Sequence, residues 1–194
     1  MSRFDRAIAG GLFAAGLAVV VGYGISQTAE AQATDGPGPN LVIEVAGAAN
    51  GTVVIDLLPD VAPQHVAQIT ALAQEGAYDN VVFHRVIDGF MAQTGDVQYG
   101  KAGGDLSMAG MGGSSKPDIP GEFTDKLSFQ RGVVGMARAA DPNSANSQFF
   151  IMFADGSFLD GQYTIVGNVV SGMEVVDAIK RGDGQNGEVS GTPD

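Results

Sequence analysis

Apolar positions along the chain recur with two periods, and the alternating one comes first. From Asn40 onward, LVIEVAG (41–47) and TVVIDLL (52–58) are β-rich runs joined around Asn50-Gly51, a dipeptide suited to the positive φ angles of a tight turn, so the fold is predicted to open with a hairpin. Pro63 then sits where a first helical turn tolerates it. Val66, Ile69, Leu72 and Ala73 recur at helical spacing until Gly76 can end the helix. His65 lies off that stripe and reads as a surface histidine. Further extended runs follow: VVFHRVI and FMAQTGD, separated by Asp88-Gly89, then GVVGMA, QFFIMF and YTIVGNVV beyond a glycine-rich loop from Gly95 to Gly121. A second helix is expected from Ser171, with Glu174 three residues on as a capping box, Lys180 and Arg181 at its C-terminal end and Gly182 as its cap. Many short strands, two helices and few parallel-crossover signals predict a mainly β fold, an antiparallel barrel or sandwich covered by helices.

Composition narrows the function. A chain of 194 residues, 44% hydrophobic and 16% charged, has the material for one core plus an appendage. Its net charge of −12 lacks the basic face that neutralises phosphates, so nucleic acid is not an expected partner, and the acidity reads as a solvated exterior. There is no cysteine, and His65 and His84 are the only histidines, without paired spacing, so neither a metal nor a cofactor is expected. Gly182, Gly184 and Gly187 match GxGxxG but follow a helix and precede a polar tail, the wrong context for a dinucleotide turn.

The N-terminus departs from globular character. Arg3 and Arg6 precede an uncharged, largely apolar run from Ala7 to Ile25, followed by Ala29-Glu30-Ala31 and Ala31-Gln32-Ala33. Residues 1–33 therefore read as an export signal cut after Ala31 or Ala33, or as a retained inner-membrane anchor through residues 7–25, and the protein is expected to be exported and periplasmic. A flexible lead at 34–40, a domain at 41–182 and a polar tail at 183–194 complete the expected organisation.

Candidate chemistry starts in VVFHRVI. Strand alternation puts Phe83, Arg85 and Ile87 on one face and Val82, His84 and Val86 on the other. An edge-strand arginine can simply reach water, and each Phe or Met taken singly reads as core. Phe90, Met91 and Gln93 follow closely, however, and QFFIMF sets Gln148, Phe150 and Met152 on one face, with Phe158 and Leu159 adding apolar surface. One cation, two amides and an aromatic and thioether patch are the makings of an apolar pocket with a few convergent polar groups. The set contains no evident nucleophile or proton shuttle.

FHRVIDGFMAQTGD (83–96), MARAADPNSANSQFFI (136–151) and FLDGQYTIVG (158–167) resemble, in consistent order from about Val42 to Gly187, the cyclophilin family of peptidyl-prolyl isomerases in its bacterial form. The resemblance implies an eight-stranded antiparallel barrel with a helix over each end, an outer peptide groove, and proline-containing peptides and folding proteins as partners. It places Arg85 on the catalytic arginine and Phe90, Met91, Gln93, Gln148, Phe150 and Leu159 in the groove, and it makes His84 structural support. Phe158 stands where many eukaryotic members carry tryptophan and Tyr163 where they carry histidine, which implies weak cyclosporin binding. Arg138 replaces a common asparagine at a main-chain contact position on the rim.

Two further classes compete with the isomerase: a proline-peptide-binding chaperone module with little catalysis, and a barrel storing a small apolar ligand inside. Relatives also end in a strand that closes the barrel against the first. DGQNGEVSGTPD (183–194) has no strand-like alternation, so LVIEVAG is expected to keep an edge unpaired, filled by another segment or open.

Overall fold

The computed structural model describes residues 33–194. The expected export segment, but for its last residue, lies outside them. Seven strands form one antiparallel sheet: β1 (Asn40–Ala46), β2 (Asn50–Leu57), β3 (Arg85–Ile87), β4 (Met91–Thr94), β5 (Val133–Met136), β6 (Phe149–Met152) and β7 (Ile165–Ser171). They lie in the order β1-β2-β7-β5-β6-β4-β3, a curled half-barrel, with helices α1 (Pro63–Gln74) and α2 (Met173–Ala178) packed on it. Among the described residues β1 pairs only with β2, and its other edge faces Val81, Val82 and Phe83 across a cleft of about 530 Å³.

The central strands read as unbroken apolar runs because both of their faces are covered. All four residues of β6 are buried: Phe149 and Ile151 point into the inner cluster with Ile55, Val86, Val134 and Val166, and Phe150 and Met152 into an outer cluster with Met91, Phe129 and Leu159. Val66 and Ile69 of α1 and Val176 of α2 join the inner cluster, which fills the interior that a stored ligand would need.

Five local expectations are corrected. Asn50 and Gly51 belong to β2, because Ala46 pairs with Asn50 and the turn is Gly47–Ala49, braced by the Asn50 side chain on the Gly47 carbonyl. Ser171 makes no capping box: it stays in the sheet opposite Val54, and α2 starts after Gly172 at φ 85°, where a Cβ would stand 2.1 Å from the Thr52 carbonyl oxygen. The helix stops at Ala178, and Lys180 and Arg181 reach instead to Ser190 and Asp88. Phe83 does not share the outer face with Arg85, since residues 82–84 precede the strand and its ring packs in the inner cluster.

The fifth correction concerns His65, which is fully buried and pairs through Nδ1 with Glu122 at 2.6 Å. α1 has no capping side chain of its own. The Glu122 carboxylate, from a distant loop, accepts the Gln64 and His65 main-chain N–H groups at 3.1 Å each and so caps the helix. Burial would raise the Glu122 pKa, but donors from the His65 ring, the His65 main chain and Gln64 outweigh it and hold the carboxyl below its ordinary value. This contribution is in place above about pH 4.5 and is lost as the pH falls further. Glu122→Ala is expected to cost about 3 kcal/mol in urea unfolding at pH 7, since it strands a buried histidine and two orphan N–H groups; a loss below about 1 kcal/mol would contradict the capping role.

Candidate functional site

Register builds the site. Arg85 of β3 sits opposite Gln93 of β4, Gln93 opposite Phe150 of β6, and Phe150 opposite Gly135 of β5, so a cation, an amide, a ring and a gap lie in one row across four strands. Phe129 fills that gap, stacked on Phe150 at 5.7 Å and 23°. A Cβ on Gly135 would stand 2.5 Å from the Phe129 ring and 2.6 Å from the Phe150 ring, so the bare strand position is what admits both.

The polar groups are aimed by a relay with one direction. Arg85 Nη1 donates to Gln93 Oε1 at 3.2 Å, Gln93 Nε2 to Gln148 Oε1 at 2.8 Å, and Gln148 Nε2 to the Gly110 and Gly112 carbonyls at 3.0 and 2.7 Å. The charge on Arg85 permits only donation, which fixes each amide in turn. The far end is held by the fully buried Asp96, whose carboxylate accepts the N–H groups of Gln98, Tyr99, Gly110 and Gly112 at 2.8–3.0 Å. Both Gln148 N–H groups are spent inside the protein. Gln93 keeps one free for a ligand.

Beside Arg85 opens a pocket of about 330 Å³ lined by Phe90, Met91, Gln93, Ala137, Arg138, Phe150, Phe158, Leu159 and Tyr163. Of the residues expected from the sequence, two are not there: Met152 is fully buried in the outer cluster, and Gln148 lines an adjoining pocket of about 530 Å³ walled by Gly110, Gly112 and Gly113 and sharing Gln93 and Arg138. The floor is apolar, with Met91, Phe150 and Leu159 buried, and Phe158 stands 64% exposed as a rim against Phe90 at 5.5 Å. Arg138 stacks over Tyr163 at 4.4 Å and donates to the Gln162 and Ala139 carbonyls, so its head is tied down between the two pockets. A wider trough of about 1170 Å³ beside Asp125 and Leu127 has no such row of cation, amide and ring.

Sequence reasoning missed Phe129, Gly135 and Asp96, which support the site from beneath and behind. Asp96 alone had a signal, as the last residue of the 83–96 motif.

His84 is buried behind the relay, and among the described residues its ring nitrogens make no well-formed hydrogen bond. Burial holds its pKa below 6.5, against a weaker upward pull from Asp96, Val82 and Gln148. The unfolded chain therefore binds this proton more readily, so stability is complete above about pH 6.5 and shrinks as the pH drops below it. Between pH 7.5 and 5.5 the Tm of the wild type is expected to fall further than that of His84→Gln; equal falls would exclude His84 as the cause.

The family model described as cyclophilin type peptidyl-prolyl cis-trans isomerase/CLD matches residues 41–193. A Brucella suis protein named probable peptidyl-prolyl cis-trans isomerase is 54% identical over 192 residues, 97% of this chain and 92% of its own. Among solved structures, the cyclophilin AquaCyp293 from Hirschia baltica aligns with a TM-score of 0.61 at 27% identity, covering 75% of this chain and 69% of its own. A Cryptosporidium parvum cyclophilin-type peptidyl-prolyl cis-trans isomerase, crystallised in the presence of the dipeptide Ala-Pro, aligns with a TM-score of 0.62 at 28% identity, covering 72% and 87%.

Proposed function

The chain belongs to the cyclophilin-type peptidyl-prolyl cis-trans isomerases, and from that premise we propose that Arg85 accelerates X-Pro rotation by stabilising the twisted amide while the proline ring sits on Met91, Phe150 and Leu159. An amide resists rotation by about 18–20 kcal/mol because nitrogen shares its lone pair with the carbonyl. At the twist that sharing ends, and the nitrogen becomes pyramidal and basic. A guanidinium donor aimed at it then favours the twisted state over the planar one, which is what lowers the barrier. The apolar floor holds the ring and excludes water, while the free Gln93 N–H can hold the peptide main chain as the residue before proline turns.

The observation that carries this reading is the row Arg85–Gln93–Phe150, which puts a cation with free donors beside a buried ring in one pocket. A protease-coupled assay on an X-Pro peptide tests it: catalysed interconversion is expected, and a rate equal to the uncatalysed one would refute it. Substrates in this proposal are proline-containing segments of exported proteins, with the chain itself exported through residues 1–33. N-terminal sequencing of protein from the exported fraction should begin at Thr34 or Gln32 if the segment is cleaved, and at Met1 if it is kept as an anchor.

A further inference from the structure

Arg85 is held on two sides, and only one of them belongs to the groove. Its Nη1 meets Gln93, while its Nε donates at 2.8 Å to the main-chain carbonyl of Asn186, in the segment after α2. That segment is hooked to β3 on both sides of Arg85: Gly182 N–H donates to the Val86 carbonyl, Val86 N–H to the Gly187 carbonyl, and Val189 N–H to the His84 carbonyl, at 2.7–3.0 Å. Gly187 must be glycine for so close an approach, with φ at 83° and a would-be Cβ 2.4 Å from Ile87.

Within the loop, one side chain holds Asn186 at its N–H and its amide, and the peptide that carries the Asn186 carbonyl is held by Gly187 N–H on the Gly184 carbonyl at 3.0 Å. The Glu188 carboxylate accepts Asn186 N–H on one oxygen and Asn186 Nδ2 on the other, at 3.0 Å each, and lies over Gly184, where a Cβ would stand 2.3 Å from it. The Asp183 and Gly184 N–H groups close the turn on the Glu188 carbonyl at 3.1 Å. The glycines that mimic a dinucleotide turn thus form a tight loop around one carboxylate.

We infer that Glu188 is a positioning residue for the isomerase: by fixing the Asn186 carbonyl it anchors Arg85 Nε and aims the Nη2 end of the guanidinium into the proline pocket. An arginine side chain has many rotamers, and contacts at Nη1 alone, to Gln93 Oε1 at 3.2 Å and the weak one to Met91 Sδ at 4.0 Å, leave the rest of its plane free to swing. A second tether at Nε fixes the plane. Catalysis by a donor depends on that aim, and a misplacement of about 1 Å can cost orders of magnitude in rate.

This inference rests on the proposed role of Arg85, and the test separates the two. Glu188→Ala, Glu188→Gln and Arg85→Ala are compared with wild type in the full chain, measuring kcat and KM on an Ala-Pro peptide and, by ¹⁵N NMR, hydrogen exchange at Arg85 Nε–H. Glu188→Ala is expected to lower kcat roughly tenfold with KM within about twofold, and to speed Nε–H exchange, while Glu188→Gln, which keeps one acceptor oxygen, recovers most of both. Unchanged kcat and unchanged exchange in Glu188→Ala, with Arg85→Ala inactive, would overturn the inference alone. A fall in kcat without faster exchange would also overturn it, because the effect would not run through Arg85. If Arg85→Ala is as active as wild type, it is the proposed role of Arg85 that fails.

Discussion

Arg85→Ala is expected to lower kcat/KM on an X-Pro peptide by about two to three orders of magnitude while leaving the fold in place, because one preorganised donor to the transition state is removed from a water-poor site. The side chain is half-buried on a three-residue edge strand, and its loss frees the Asn186 carbonyl and Gln93 Oε1, both of which water can reach. Stability should therefore change by less than about 1 kcal/mol. The apolar seat is untouched, so the loss should fall on kcat rather than KM. Arg85→Lys should recover little, since an ammonium has no fork with which to hold two acceptors and still donate to the substrate. Equal rates for wild type and Arg85→Ala in a protease-coupled assay would refute the proposed role.

Phe129→Ala should have the largest effect on stability among the residues around the groove, about 3–5 kcal/mol in urea unfolding. The ring is fully buried and stacks under Phe150 in the space left by Gly135. Without it Phe150 loses its floor, so KM for a proline peptide should rise several-fold as well. Ile55→Ala supplies the control: it empties a comparable volume in the inner cluster, on the far side of the sheet, and should cost about 2–5 kcal/mol with KM unchanged. A KM that stays at the wild-type value in Phe129→Ala would show that the outer cluster does not shape the seat.

Much of this was legible in the sequence, for reasons that particular residues make plain. α1 was readable because Pro63, the stripe Val66, Ile69 and Leu72, and Gly76 all act within one helix. The pocket was readable because Arg85, Met91, Gln93 and Phe150 lie on short strands whose alternation survives folding, with Phe90 in the turn between two of them, and because all five sit in motifs that resemble a known family. His65 was misread because its partner, Glu122, is 57 positions away, and no local pattern announces a cap supplied from a distant loop. Ser171 was misread because its pairing with β2 overrode a good local capping signal. Phe129 and the Asn186 carbonyl were out of reach for the same reason: one depends on a missing Cβ in a neighbouring strand, the other on a main-chain oxygen brought to Arg85 by a segment 101 positions away.

The central claim is that Arg85 acts on the twisted amide and not on binding. The most direct measurement is the cis/trans exchange rate of an Ala-Pro peptide on the protein at saturation, by NMR, in wild type and Arg85→Ala, with chemical-shift changes reporting occupancy at Met91, Phe150 and Leu159. The account predicts that the variant still binds the peptide in the same pocket while exchange on it falls by about two orders of magnitude. Exchange as fast on Arg85→Ala as on wild type, with the pocket equally occupied, would contradict it.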